Sequence, residues 1–240
     1  MAGLLSIERR EAVALVTLQR QEKRNALSID LRVELAEAFR GLGDDDGVGC
    51  IVLTGAGSAF CAGMDVDEFG GDEDHKRRLV ETSTGAFEAV GSCPRPVVAA
   101  VNGPALAGGF ALALLCDLRI AASSATFGFP ELPRGIPPSY ASARAALGLG
   151  AAAEVTLTGR VFGAEEAERL GAVNEVVPDE ECGERSLEVA AAIGAAPRSA
   201  TLETKRRILI DRERNFGGLF AEETSVFREA LLGSEPDDAA

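Results

Sequence analysis

The sequence is poor in the residues on which much hydrolytic and redox chemistry depends. Its 240 residues hold one histidine, one tyrosine and no tryptophan. The histidine, His75, lies in the charged run Gly71-Asp-Glu-Asp-His-Lys-Arg-Arg and reads as a surface residue. A catalytic imidazole needs a positioned partner in a pocket. Ser-His-Asp hydrolysis, a histidine-based metal site and HExxH chemistry are therefore excluded, and no metal site is expected. Acid–base work falls to carboxylates, Tyr140, lysine or cysteine. The cysteines (Cys50, Cys61, Cys93, Cys116 and Cys182) include no C-x-x-C pair, which removes a zinc ribbon and a thioredoxin-like site. They are expected to be reduced, buried, small apolar residues.

Positive charge is also scarce. Lys plus Arg number 24 against 38 Asp plus Glu, a net charge of −14. Such a chain lacks the basic surface that binds phosphate backbones or anionic membranes, so neither nucleic acid nor membrane is an expected partner. An uninterrupted membrane-length apolar run is absent too. Between Pro96 and Cys116 only Asn102 is polar, but Asn102-Gly103-Pro104 cuts the run, and a broken backbone in lipid leaves amides unpaired. The apolar stretch at the N-terminus is too short for a secretory signal, and a cytoplasmic location is expected.

What is present is a core and an alternating pattern. The chain is 46% apolar and long enough for one large α/β domain or two small ones. Leu5–Glu8 and Ala12–Leu18 read as a hairpin. Ser28 or Asp30 caps a helix with Leu31, Leu35 and Phe39 at helical spacing. Cys50–Thr54, Pro96–Val101 and Leu118–Ala121 are short apolar runs of the buried-strand kind, with helices expected at 73–91 and 108–115. Alternation of this sort implies βαβ crossovers. Beyond residue 138 alanine-rich helices are expected at 139–147, 150–158, 164–170, 180–194 and 198–213, with a strand at 173–177. The last eight residues read as a frayed tail.

Two glycine-rich elements follow strands: Thr54-Gly-Ala-Gly-Ser-Ala-Phe-Cys-Ala-Gly-Met-Asp, and Gly103-Pro-Ala-Leu-Ala-Gly-Gly. The first fails as a dinucleotide fingerprint, lacking the third glycine and a prompt helix. The second opens a helix, whose free amides can hold an oxyanion. Either alone is equally compatible with a tight packing turn.

In combination they are specific. The run Arg20-Gln-Glu-Lys-Arg-Asn-Ala-Leu, then Ala59-Phe-Cys-Ala-Gly-Met-Asp, Asn102-Gly-Pro-Ala-Leu-Ala-Gly-Gly, Cys116-Asp-Leu-Arg-Ile-Ala, Phe127-Gly-Phe-Pro-Glu with Gly135-Ile-Pro, and Leu157-Thr-Gly-Arg with Ala164-Glu-Glu-Ala resembles the enoyl-CoA hydratase/isomerase (crotonase) family over residues 5–210. The resemblance implies an α/β, crotonase-like spiral of ββα units at 1–195 and a helical C-terminal trimerisation region at 196–240, assembled as a homotrimer or dimer of trimers. It implies an enzyme that binds an acyl-CoA thioester and stabilises its enolate through the amides of Met64 and Gly108. No cofactor is expected, since coenzyme A is part of the substrate. Lys23, Arg24, Ala26, Ala62, Asp65, Val66 and Asp67 match the region that lines coenzyme A and the pocket mouth, and Lys205-Arg206-Arg207 is a weaker candidate for the same role.

Hydratases of the family carry two glutamates. The later one is kept as Glu131, but the earlier position is Ala111, whose methyl group transfers no proton. One carboxylate suffices to move a proton between two carbons, so 3-enoyl to 2-enoyl isomerisation is the expected reaction. Hydration, decarboxylation, thioester hydrolysis and acyl-CoA binding without turnover remain alternatives. Ser139 and Tyr140, where hydratases have glycines, stand as candidate contacts to the acyl group.

Overall fold

The computed structural model describes residues 3–232. The expected hairpin forms β1 (Leu5–Arg10) and β2 (Val13–Leu18), paired antiparallel around a turn in which Glu11 takes a positive φ. Ser28 caps α1 (Ile29–Asp44), its hydroxyl accepting from the Leu31 amide at 3.3 Å. The chain continues through β3 (Cys50–Gly55), α2 (Glu73–Gly91), β4 (Val97–Val101), β5 (Ala105–Leu106), α3 (Gly108–Leu115), β6 (Leu118–Ala122) and β7 (Thr126–Gly128). After β7 come α4 (Tyr140–Ala146), α5 (Leu149–Thr158), β8 (Val161–Gly163), α6 (Ala164–Arg169), β9 (Glu175–Val177), α7 (Cys182–Ala195) and α8 (Arg198–Leu232).

Two sheets result. The larger has the order β1-β2-β3-β4-β6-β9 and is parallel from β2 onward. Its inner strands are apolar on both faces, as parallel strands covered by helices must be, and β4 is buried at every residue. The smaller has the order β5-β7-β8, with β5 and β7 parallel. Its strands of two or three residues are too short to alternate, which is why they leave no trace in the sequence. The strand expected at 173–177 contracts to Glu175–Val177.

The largest departure is α8. Its expected end at residue 213 is corrected to Leu232, although Gly217 and Gly218 lie inside it. Tertiary contacts override that weak local signal. Lys205 Nζ reaches both carboxylate oxygens of Asp117, at 2.7 and 2.6 Å, and Arg212 reaches Asp117 at 3.0 Å and the Gly91 carbonyl at 2.8 Å. Phe216 and Phe220 stack at 4.6 Å, and Phe220 lies 6.2 Å from Phe87 of α2. Lys205 is thus a buried anchor rather than a solvated or coenzyme-binding lysine, while Arg206 and Arg207 pair with Glu203 at the surface. The expected tail, 233–240, lies outside the described residues.

All five cysteines are free and buried. Among the described residues no helix is long and apolar enough to cross a membrane, and no cluster suited to a metal ion occurs.

Candidate active site

Three chain segments run side by side in one register. Cys61 bridges Ala105 in parallel, and Ala105 pairs in parallel with Phe127. Parallel segments leave a sheet at the same end. Met64 and Gly108 each lie three residues beyond that row, and Glu131 four beyond it. Topology therefore delivers the two candidate amides and the candidate acid to one end of the small sheet. The Ala107 amide donates to the Gly128 carbonyl at 2.9 Å, and the rings of Phe110 and Phe129 meet at 5.0 Å, tying the start of α3 to the segment that carries Glu131.

The direction of the Met64 amide follows from its neighbours. Leu27 donates to the Gly63 carbonyl at 2.8 Å, and the Asp65 amide donates to the Leu27 carbonyl at 3.3 Å. In extended backbone successive peptide groups point to opposite sides, so the Met64 N–H faces away from Leu27. Among the described residues neither this amide nor that of Gly108 donates to a protein acceptor. The two are close. A Cβ on Gly108 would sit 3.7 Å from both Gly63 Cα and Met64 Cγ. Gly63 has φ of +99°, and a side chain there would come within 2.9 Å of the Ala107 Cβ. Gly109 lies so close to the Cys61 carbonyl that a Cβ would stand 2.1 Å from its oxygen. Ala107, with φ of +52° and ψ of −126°, is strained just before the helix, and strain of this kind persists only where surrounding contacts impose it. The first amides of α3 add the partial positive charge of a helix start.

Glu131 precedes a short 3-10 turn, Leu132–Arg134. Its Oε2 is buried and has no hydrogen-bond partner among the described residues. Burial pushes the carboxyl up to about 7, only partly offset by its own amide and by Arg134. Such a group exchanges a proton readily near neutral pH. Beside the turn opens a cavity of about 570 Å³ whose apolar wall includes Leu132, Pro138, Tyr140 and Leu157. Its lining includes neither Met64 nor Gly108.

A sequence model of the enoyl-CoA hydratase/isomerase family matches residues 8–230. The chain belongs to this family. Over 207 residues it is 37% identical to a probable enoyl-CoA hydratase of Rhizobium meliloti (strain 1021), covering 85% of this chain and 80% of that one. Over 195 residues it is 35% identical to the hydroxycinnamoyl-CoA hydratase-lyase of Pseudomonas fluorescens, covering 78% and 71%. The crystal structure of an enoyl-CoA hydratase/isomerase from Mycobacterium paratuberculosis superposes with a TM-score of 0.90 at 29% identity, over 98% of this chain and 96% of that one. The crotonase-like fold is thereby established, and with it a family that acts on acyl-CoA thioesters.

The remaining expected residues of this family member are placed as follows. Lys23 and Arg24 are exposed; Lys23 pairs with Asp67 at 2.7 Å, which raises the ammonium's proton affinity, and Arg24 has a positive φ and accepts from the Ala62 amide. Ala26 is buried, and its carbonyl accepts from Arg20. Val66 stands out into solvent. Asp65 is buried and bound by Arg20 at 2.8 Å. Burial alone would raise its carboxyl, but Arg20 and the Asp67 amide outweigh that and hold it below the usual range. Its carboxylate is therefore occupied within the protein. Ala111 is buried on α3. The Ser139 hydroxyl caps α4 and lies 2.9 Å from a carboxylate oxygen of Glu223 on α8, so it is committed to structure. Tyr140, next to it, lines the apolar cavity. His75 is half-buried, and its Nε2 meets the Glu68 carbonyl at 2.9 Å, so it ties α2 to the loop after Met64 rather than standing free in solvent.

Sequence reasoning passed over Arg20, Asn25 and Arg32. Arg20 and Asn25 stand inside a motif used for the resemblance, and Asn25 is fully buried, binding the carbonyls of Ala56 and Ala59. Arg32 occupies a place in the apolar stripe of α1 with Leu35, Ala36 and Phe39, a detectable anomaly.

Proposed function

We propose that the chain converts 3-enoyl-CoA to 2-enoyl-CoA by a proton shift through Glu131. The Met64 and Gly108 amides receive the thioester oxygen. The Glu131 carboxylate takes a proton from C2, electrons move into the carbonyl to give a dienolate held by the two amides, and the resulting Glu131 acid returns the proton to C4. No atom is gained or lost, and the carboxylate is regenerated. Fixed donors of this type, placed where charge develops, are worth about 2.7–4 kcal/mol each. Lys23 and Arg24 are exposed, and in this reading they counter a coenzyme phosphate locally on a protein of charge −14. The apolar cavity beside Leu132 and Tyr140 suits an acyl chain.

The observation that carries this reading is Glu131: a buried, unpaired carboxyl oxygen with a pKa of about 7, working without a second carboxylate at Ala111. Hydration is the second reading, favoured by the hydratase names of the relatives. The two separate in one assay. Trans-3-enoyl-CoA is supplied and the conjugated 2-enoyl chromophore followed; trans-2-enoyl-CoA is supplied and its loss to water addition followed. Isomerisation faster than hydration, abolished by Glu131→Gln, supports the proposal. Hydration at the greater rate overturns it in favour of the second reading, and turnover indifferent to Glu131→Gln removes both.

A further inference from the structure

We propose that Arg32 is a positioning residue that orients the Met64 amide, by gripping the Met64 side chain and the loop that follows it. The inference rests on Met64 and Gly108 being the donors to the thioester oxygen. Arg32 lies on α1, and its side chain is fully buried. Burying a guanidinium is expensive, and an apolar side chain of similar volume often serves a fold as well or better. Something other than packing accounts for an arginine here.

Its donors are distributed to a purpose. Nε reaches the Ser28 carbonyl at 3.2 Å and Nη1 the Leu79 carbonyl at 2.9 Å, which fix the guanidinium between α1 and α2. The remaining contacts all go to the loop that carries the site. Nη1 lies 3.5 Å from Met64 Sδ, and Nη2 lies 3.3 Å from Glu68 Oε2. That same Glu68 oxygen accepts from the Ile29 amide at 2.7 Å, closing the loop onto the start of α1. Ser83 of α2 donates to Met64 Sδ from another side at 3.7 Å. The Leu27 bonds hold the backbone on either side of Met64 and Arg20 holds Asp65, but Gly63 contributes no side chain, so the Met64 thioether is the handle at the donor residue itself. The planar fork of arginine reaches these acceptors from one fixed plane, which a lysine cannot do. Burial lowers the guanidinium to about 10, so it stays charged at neutral pH.

The test reads the carbonyl itself. A saturated acyl-CoA carrying carbon-13 at the thioester carbonyl cannot isomerise, and isotope-edited infrared spectroscopy of its complex reports how strongly the two amides polarise that bond. Wild type is expected to shift the carbonyl stretch to lower frequency. Arg32→Met and Arg32→Lys are expected to lose most of that shift while binding the ligand with nearly unchanged affinity. Their kcat should drop roughly 10- to 100-fold with little change in KM, as for a misplaced rather than deleted donor. Arg32→Lys keeps the charge and stem, and serves if Arg32→Met fails to fold. An unchanged carbonyl shift in a folded variant, whatever its loss in Tm, overturns the role of Arg32 and leaves the two amides in place. A wild-type complex with no shift overturns the amide reading and the Arg32 inference together.

Discussion

Replacing Glu131 by glutamine keeps the shape of the side chain and removes its charge and its basicity. A positioned general base contributes typically ~10²–10⁴-fold, or about 3–5.5 kcal/mol of barrier, so kcat for isomerisation should fall by that much. Because the base must be ionised and burial holds it at about 7 in the ligand-free protein, wild-type kcat/KM should rise with pH and reach half its plateau near pH 7. The variant should be slow and flat. Stability gives a second, independent reading. The folded carboxyl sits above its ordinary value of 4.5, so between that pH and about 7 the native state holds a proton the unfolded chain has released. Stability from this group is therefore present at low pH and is lost as pH rises through that window. The full shift would correspond to about 3 kcal/mol, which the partial opening of the site to solvent reduces to about 1–2 kcal/mol. Wild type and Glu131→Gln should melt together near pH 4, and at pH 8 the variant should melt higher, by roughly 2–8 °C at ~2–4 °C per kcal/mol. The assays are initial rates from pH 5.5 to 9 and calorimetric melts at both ends. A wild-type rate that is flat across pH 6–8, or a variant that retains turnover, refutes the reasoning.

Other outcomes follow from the same contacts. Lys23→Ala should raise KM for acyl-CoA roughly three- to tenfold with kcat little changed, as expected for an exposed contact to phosphate; an unchanged KM removes Lys23 from the coenzyme site. Asp117→Asn leaves the Lys205 ammonium and the Arg212 guanidinium buried without a counter-charge, and should cost about 3–5 kcal/mol, read as a lower midpoint in urea. The thiols should be inert in the native protein, since burial pushes Cys50, Cys61 and Cys116 up to about 12, and all five should react with a thiol reagent once the chain is unfolded.

Much of the fold was legible because its signals are local. The apolar runs at Cys50–Gly55 and Val97–Val101 read as buried strands, Ser28 as a cap, and the four helices between residues 138 and 195 lie within one or two residues of their expected limits. Ordered motifs around Gly63, Gly108 and Glu131 were enough to indicate the family and three candidate site residues. Ala111, too, is a fact of sequence: wherever the helix points, a methyl group there moves no proton.

Tertiary structure decided what depends on residues far apart in the chain. Only the parallel register of Cys61, Ala105 and Phe127 brings Met64, Gly108 and Glu131 to one end of a sheet, and strands so short carry no pattern of their own. Whether a carboxylate is free or engaged is settled by partners dozens of residues away: Asp65 is taken by Arg20, Asp117 by Lys205 and Arg212, while Glu131 Oε2 is left without one. The continuation of α8 past Gly217-Gly218 rests in the same way on Phe87, which Phe220 meets, and on Ser139 and the Ala141 amide, which bind Glu223, beyond the reach of helix propensity. Side-chain chemistry can be read residue by residue, but burial and pairing set its pKa and its availability, and those are properties of the folded chain.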